Sequence, residues 1–200
     1  MKKIKEILIG THNKGKYREI VNLLPNKIKK TSPLQFKIKS PKETGKSFIA
    51  NAELKANYFY KHSNMASISD DSGLEVTCLK NKPGIFSARW AKKYHGFNNA
   101  MKKILYLVNK KNVNRNAKFV CSLAIKIPNK KIISVQGKIS GKISKKIKGT
   151  KGFGYDSIFI PKNYNVTFGQ MTKSKKMKID HRFIAFKKLK KKLKFYKLSI

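Results

Sequence analysis

The chain is poor in acidic residues, with nine Asp and Glu against 48 Lys and Arg, which gives a formal net charge of +39 over 200 residues. Even so, two of the nine acids, Asp70 and Asp71, are adjacent. Neighbouring carboxylates repel each other, so the pair costs electrostatic energy unless something binds it, and a hard divalent cation is a common partner. The alternative is an acidic turn that hydrogen-bonds its own backbone.

Cysteine and long apolar runs are scarce as well. Cys78 and Cys121 are too few for a disulfide framework and lack the C-x-x-C spacing of many metal sites, which fits a reducing cytoplasm. The first apolar run, Ile7–Ile9, is too short for the core of a signal peptide, and no stretch reaches transmembrane length. We therefore expect a soluble, cytoplasmic protein with no membrane partner.

Arginine occurs only at positions 18, 89, 115 and 182, so the other 44 of the 48 basic residues are Lys. The Lys residues are spread along the chain, which favours a compositional bias over a dedicated surface for nucleic acid. A basic protein that binds nucleic acid or the ribosome through this surface, including Lys187–Lys197, is the alternative. We expect no specific nucleic-acid partner, because no stacking or groove-reading motif is present.

Hydrophobic periodicity predicts an α/β fold with a mixed sheet in a single domain over residues 1–200. Helices are predicted from residue 16 to Pro25, from the N-cap Ser47 to residue 60, from residue 98 or 99 to 108, and from 180 to 193. The predicted strands cover residues 7–9, 34–38, 66–69, 74–79, 117–127, 131–140 and 157–160. Pro128-Asn129-Lys130 predicts a hairpin, and Ser72-Gly73 predicts a turn that places the acid pair where a strand breaks.

Two segments have the composition of ligand-binding loops. The first, Gly10–Lys16, lies between a strand and a helix and offers backbone N–H groups, a hydroxyl, an amide and two ammonium groups to a phosphate, and an Asn-rich helix cap is the alternative. The second, Gly149–Asp156, combines three glycines with Phe153, Tyr155 and an acid, which suits a planar base better than a simple turn does. On the second helix, Asn51 and Lys55 share a face that can meet a polyanion.

Taken together, these motifs resemble the inosine triphosphate pyrophosphatase family, the Ham1/RdgB group of enzymes that act on deaminated purine nucleotides. The matching segments run in family order: Thr11–Lys16; Glu43–Gly45 followed closely by Ser47–Phe48 and Asn51–Ala56, counted as one segment; Asp70–Leu74; Pro83–Arg89; Gly152–Asp156; and His181–Arg182. The resemblance spans residues 11–182, and six segments in register make it specific.

The resemblance implies hydrolysis of ITP, dITP and XTP to the monophosphate and pyrophosphate, which removes deaminated purines from the nucleotide pool. It also implies a long mixed sheet flanked by helices, two lobes with the active-site cleft between them, a homodimer and dependence on Mg²⁺. Another nucleotide pyrophosphatase with a different base preference is the nearest alternative.

The resemblance also implies roles for individual residues. Asp71 is the expected general base. The expected metal residues are Asp71, Asp70 and Glu43. The expected substrate-binding residues are Thr11, His12, Asn13, Lys14, Gly15, Lys16, Lys55, Ser72, Phe153, Gly154, Tyr155, Asp156, Lys176, His181 and Arg182.

The chain departs from the family pattern at three positions. Ala50 and Lys42 occupy places where many members carry an acid, and Asp180 replaces a Ser. Metal binding is therefore expected to depend on Glu43 and the two aspartates. We expect the base to be selected by a hydrogen-bond donor directed at position 6 of the purine. The O6 atom of hypoxanthine or xanthine accepts this hydrogen bond, whereas the amino group of adenine does not. Guanine also carries O6, and the sequence does not indicate how it is rejected.

Overall fold

The computed structural model describes residues 2–111 and 114–200. Contacts within the chain define two compact units. Unit 1 comprises Met1–Asp71, Cys121–Gly137 and Arg182–Ile200, and unit 2 comprises Ser72–Val120 and Lys138–His181. The single domain over residues 1–200 and the cleft between two lobes stay predictions.

Strands and helices alternate along much of the chain. The strands are β1 Lys2–Lys3, β2 Glu6–Ile9, β3 Lys29–Thr31, β4 Ser67–Val76, β5 Lys82–Pro83, β6 Asn116–Lys126, β7 Ile133–Ile143, β8 Phe159–Pro161 and β9 Leu198–Ser199. The α-helices are α1 Lys14–Leu23, α2 Phe48–Ser63, α3 Ser87–Lys93, α4 Phe97–Lys111, α5 Lys173–Met177 and α6 His181–Phe195. Short 3₁₀ turns cover Pro33–Phe36, Thr77–Leu79, Gly84–Phe86 and Asp156–Ile158.

Unit 1 is built on parallel pairing around β2. This strand pairs with β3, where Leu8 faces Thr31, and with the start of β4, where Leu8 faces Ser67. The seven-stranded sheet that contains β2 has the order β3-β2-β4-β6-β7-β8, and β5 pairs with β4. Every residue of the run Ile7–Ile9 is fully buried, as expected for a parallel strand covered on both faces. The parallel order brings the loop after β2 beside the middle of β4.

Unit 2 contains the antiparallel part of the sheet. The end of β4 pairs with β5, and β7 pairs with β8, where Ile143 faces Phe159. Its core packs the apolar face of α4, including Ile104 and Val108, with aromatic rings from β6 and β8. Parallel and antiparallel pairs therefore occur in one mixed sheet, and the predicted α/β class is confirmed.

The helix predictions hold best where apolar spacing is regular. α2 has the predicted N-cap, since Ser47 Oγ accepts a hydrogen bond of 3.1 Å from the Ala50 N–H. The predicted inward side chains of α2 are all buried, namely Phe48, Ala52, Ala56 and Phe59. The two strands of the predicted hairpin, β6 and β7, are neighbours in the sheet. The short helices α3 and α5 were not predicted, because they are too short to show a period.

Two strand predictions are wrong. Residues 34–38 do not form a strand, since Pro33–Phe36 is a 3₁₀ turn that leaves Leu34 69% exposed. Pro33 fixes the first φ angle of the turn, and Ser32 and Gln35 close a capping box around it. The predicted break at Ser72-Gly73 is also absent, because β4 continues to Val76. The acid pair therefore lies in the middle of a strand.

Among residues 2–111 and 114–200, no helix combines the length and the apolar character needed to cross a membrane. This agrees with the absence of long apolar runs from the sequence.

Loss of the α2 cap gives a simple test of how this helix begins. We expect Ser47→Ala to lower the free energy of unfolding by about 1 kcal/mol, because the Ala50 N–H loses its acceptor. Ser47→Asp supplies an equivalent acceptor and is the control. Urea unfolding measures both variants, and a Ser47→Ala variant as stable as wild type would contradict the capping role.

Candidate active site

The loop between β2 and α1 is shaped by local hydrogen bonds. Gly10 N–H donates to Ile68 O over 2.8 Å, which ties the loop to β4. Asn13 is the N-cap of α1, and its Oδ1 accepts a bond of 3.0 Å from the Lys16 N–H. His12 Nδ1 lies 2.6 Å from Ser40 Oγ. The helix-cap interpretation is thus correct for Asn13, and the loop presents the positive end of α1 as the phosphate interpretation requires.

Asp70 and Asp71 point to opposite faces of β4, because successive side chains of a strand alternate. Asp70 is fully buried and its Oδ2 lies 3.0 Å from Arg182 Nη2 and 3.4 Å from Lys16 Nζ. Arg182, itself 1% exposed, also forms an ion pair with Glu19 on α1. Asp70 therefore joins β4 to the start of α6 and to α1 within unit 1.

Asp71 faces helix α2 and is 4% exposed. Its Oδ2 accepts a hydrogen bond of 3.0 Å from Asn51 Nδ2, and its Oδ1 lies 3.8 Å from Lys55 Nζ. Lys55 also forms a close ion pair with Glu43. Asn51 and Lys55 lie on one face of α2. Together they contact both the predicted base, Asp71, and the carboxylate of Glu43.

Burial and neighbouring charges shift the pKa values of the two aspartates in opposite directions. Burial would raise the pKa of Asp70, but the charges of Lys16, Arg182 and Lys55 hold it far below its ordinary value. Burial raises the pKa of Asp71, and the charges of Lys55 and Lys16 only partly oppose this. Burial would lower the pKa of Lys55, but the three nearby carboxylates raise it. Asp70 is thus a fixed anion, whereas Asp71 is the better proton acceptor.

The carboxylates of Asp71 and Glu43 have the chemistry of a divalent-cation site. Both approach the Lys55 ammonium, and the charge of Glu43 helps to raise the pKa of Asp71, so additional positive charge is favourable there. Among the described residues, no group of three or more His, Cys, Asp or Glu is arranged to hold a metal. Mg²⁺ fits this arrangement, because it commonly uses one or two carboxylates together with substrate phosphates.

Unit 2 brings together three of the residues predicted to bind a base. Asp156 Oδ2 accepts bonds of 2.9 Å from the Phe153 N–H and 2.6 Å from Lys176 Nζ. The Lys176 ammonium also lies 4.9 Å from the centre of the Phe153 ring. Gly152 has φ of +81°, and a Cβ there would collide with the Asp156 carboxylate. The glycine therefore allows the loop to close over Asp156.

Other predicted residues of unit 2 have structural contacts of their own. Tyr155 is 2% exposed and its hydroxyl donates to Ser87 O over 2.9 Å. The pKa of Tyr155 is raised, chiefly by burial. His181 is stacked on Phe119, with ring centres 4.8 Å apart and an angle of 11° between the ring planes. Ser72 follows Asp71 in β4 and is half-buried, as is Gly154. Contact of these residues with substrate stays a prediction.

The linked polar residues of unit 1 form what we call the unit 1 cluster: Lys16, Glu19, Glu43, Asn51, Lys55, Asp70, Asp71 and Arg182. One of them was missed from the sequence, and another makes contacts that the sequence did not indicate. Glu19 was not singled out, although an acid on a helix of so basic a chain is a usable signal of a buried cationic partner. The sequence indicated that Asn51 shares a face with Lys55 that can meet a polyanion, and the structure shows its amide in contact with Asp71 and Gly45. The predicted metal roles of Asp70, Asp71 and Glu43 stay predictions.

The fold and the two residue clusters are those of a nucleotide-hydrolysing α/β protein, and comparison with known proteins gives the family. A family model described as Ham1 matches residues 7–192. The chain belongs to the Ham1 family, as its motifs indicated.

The chain is similar over most of its length to the dITP/XTP pyrophosphatases of two bacteria. It is 40% identical to that of Caulobacter vibrioides, over 92% of this chain and 96% of the relative. It is 38% identical to that of Bacillus subtilis, over 94% and 96%. Among solved structures, a HAM1 protein from Coxiella burnetii has a TM-score of 0.85 at 30% identity, covering 94% of this chain and 98% of its own. The Ham1 protein of Staphylococcus aureus has a TM-score of 0.84 at 33% identity, covering 96% and 100%.

The buried ion pair of Asp70 predicts a pH-dependent loss of stability. We expect Asp70→Asn to lower the free energy of unfolding by about 3 kcal/mol at pH 7, because Arg182 and Lys16 lose their counter-charge. The folded pKa of Asp70 is lowered, so its contribution is complete well above the unfolded pKa of about 3.9 and is lost as the pH falls below it. The difference between wild type and variant should therefore be smaller at pH 3.

Urea unfolding at both pH values measures this difference. Glu6→Gln is the matched control, since it removes an exposed ion pair with Lys29 and should change the stability by less than about 1 kcal/mol. An Asp70→Asn variant whose deficit is the same at pH 3 and pH 7 would contradict the electrostatic account.

Proposed function

We propose that this protein is a nucleoside triphosphate pyrophosphatase that converts dITP, XTP and ITP to the nucleoside monophosphate and pyrophosphate. The names of its relatives support this activity. The observation that carries the proposal is the environment of Asp71, a buried carboxylate of raised pKa set between an amide donor and an ammonium group. Hydrolysis of this kind keeps deaminated purines out of nucleic acid.

The unit 1 cluster supplies the groups that hydrolysis requires. Lys16 and Lys55 neutralise phosphate oxygens, and the N-terminal end of α1 adds N–H groups and a favourable dipole. Asp71 accepts a proton from a water molecule. The water oxygen forms a bond to the α-phosphorus as the bond from that phosphorus to the bridging oxygen breaks, and pyrophosphate leaves with the bonding electrons. Mg²⁺ held by Asp71 and Glu43 would neutralise charge on the phosphates when bound.

The unit 2 cluster, formed by Phe153, Asp156 and Lys176, supplies groups suited to a 6-oxopurine. The half-buried Phe153 ring offers a stacking surface, and Asp156 accepts hydrogen bonds. Lys176 is 4% exposed and can only donate. A carbonyl at position 6 accepts a further hydrogen bond from this ammonium, whereas the amino group of adenine would set one donor against another. This asymmetry gives the predicted preference for hypoxanthine and xanthine over adenine.

Three further properties follow from the family resemblance and are part of the proposal. We expect a requirement for Mg²⁺, a homodimer in solution and a cytoplasmic location. Removal of divalent cations with EDTA should abolish turnover, and Mg²⁺ should restore it. Analytical ultracentrifugation tests the dimer, which a monomer at micromolar concentration would contradict.

Pyrophosphate release from a panel of nucleotides tests the activity. With Mg²⁺ present, we expect ITP, dITP and XTP to release pyrophosphate with a kcat/KM at least about 100-fold above that of ATP, because a mismatched buried donor costs about 3 kcal/mol. GTP, UTP and dTTP complete the panel. No release from any nucleotide would refute the enzyme, and release from pyrimidines alone would refute the base preference.

Replacement of the proposed base gives a separate prediction. We expect Asp71→Asn to lower kcat at least about 100-fold, because the amide cannot accept the proton and removal of a general base commonly costs about 10²–10⁴-fold. Glu75→Gln, which changes another half-buried acid of the same strand, should keep wild-type activity. Circular dichroism checks that both variants fold, and near-normal turnover in Asp71→Asn would contradict its role.

A further inference from the structure

Asn51 is a buried amide whose two polar atoms contact two different segments of unit 1. Its side chain is fully buried on α2. Asn51 Oδ1 accepts a hydrogen bond of 2.8 Å from the Gly45 N–H, and Asn51 Nδ2 donates one of 3.0 Å to Asp71 Oδ2. The amide supplies both a donor and an acceptor without carrying a charge, whereas a carboxylate or an ammonium offers only one of these capacities.

The first of these contacts fixes the loop that carries Glu43. Gly45 follows Glu43 by two residues and is pressed against the start of α2. A Cβ at Gly45 would lie 2.6 Å from Asn51 Oδ1 and 2.8 Å from the Asn51 backbone nitrogen. Asn51 N–H in turn donates to Ser47 O, so the backbone there is part of the first helical turn and cannot move aside. The loop thus has one close-fitting position on α2.

The second contact fixes the rotation of the Asp71 carboxylate. The terminal torsion of Asp is broad, so the side chain alone does not fix the plane of its carboxylate. The bond from Asn51 Nδ2 engages Oδ2, which leaves Oδ1 directed toward Lys55 Nζ at 3.8 Å. Lys55 in turn pairs with Glu43. The Asn51 amide therefore sets the orientation of the Asp71 carboxylate relative to the Lys55 ammonium, which also pairs with Glu43.

We propose that Asn51 is a positioning residue that holds the Asp71 carboxylate and the Glu43 loop in one fixed arrangement for hydrolysis. This inference rests on the proposed function of Asp71. Asn51 acts through Asp71 and Gly45 and not by contact with the substrate. Its removal should therefore reduce the rate of the chemical step far more than it reduces nucleotide binding.

Two substitutions of Asn51 distinguish the effect of its bond to Asp71 from the effect of its bond to Gly45. Asn51→Asp keeps the size of the side chain and the acceptor for Gly45, but it puts a carboxylate oxygen where the donor to Asp71 was. Asn51→Leu removes both hydrogen bonds at similar volume. Asn57→Asp adds the same charge at a half-buried position of the same helix and is the matched control.

For both Asn51 variants we expect kcat with ITP to fall roughly 10–100-fold, the usual effect of losing a group that orients a metal or catalytic ligand. KM should change less than about three-fold, because Lys16 and the unit 2 cluster are untouched. Exchange of the Gly45 amide hydrogen, followed by NMR in the free protein, should accelerate at least about ten-fold in Asn51→Leu. Asn57→Asp should match wild type in all three measurements.

The inference is overturned if Asn51→Asp keeps wild-type kcat, if KM rises as much as kcat falls, or if the loss of activity equals the fraction of unfolded protein measured by circular dichroism. It is also overturned if Gly45 exchanges at the same rate in wild type and Asn51→Leu. If wild type itself releases no pyrophosphate, the proposed function fails, and the Gly45 exchange rates still decide whether Asn51 holds the loop.

Discussion

The buried contact between Arg182 and Asp70 is the constraint on which the arrangement of unit 1 depends. Adjacent carboxylates in a strand repel each other, and β4 accommodates them because alternation sends them to opposite faces where different cations meet them. Arg182 and Lys16 neutralise Asp70, which links the strand to helices α1 and α6. Asp70 is thereby held as a permanent anion, whereas burial keeps the pKa of Asp71 raised and suits it to accept a proton.

The few acids of this chain are used mainly where a buried cation needs a partner. Glu19 pairs with Arg182, Glu43 with Lys55, and Asp156 with Lys176. Desolvated charges of one sign are costly, so these acids cannot be replaced by Lys even under a strong compositional bias. For the large surplus of Lys we expect a different consequence, a faster encounter between anionic substrates and the positive surface.

Local patterns predicted the parts of the site that depend on neighbouring residues. The strand, loop and helix around Gly10–Lys16 and the buried face of α2 follow from apolar spacing and capping residues. Contacts between distant residues could not be predicted in this way. Arg182 and Asp70 are 112 residues apart, and nothing local indicates their pairing. The same dependence on distant residues explains why the turn predicted at Ser72-Gly73 is absent. The partners that neutralise the two acids and let β4 continue come from other elements.

Titration of the two aspartate carboxyl groups tests the central claim most directly. With only nine Asp and Glu side chains, a carbon-13 NMR titration of the free protein can resolve each carboxyl resonance. The account predicts that Asp71 takes up its proton above the ordinary Asp pKa of about 3.9, while Asp70 stays ionised at every pH at which the protein remains folded. Two carboxyl groups that titrate together near 3.9, or an Asp70 that titrates above Asp71, would contradict the division of this pair into a structural anion and a base.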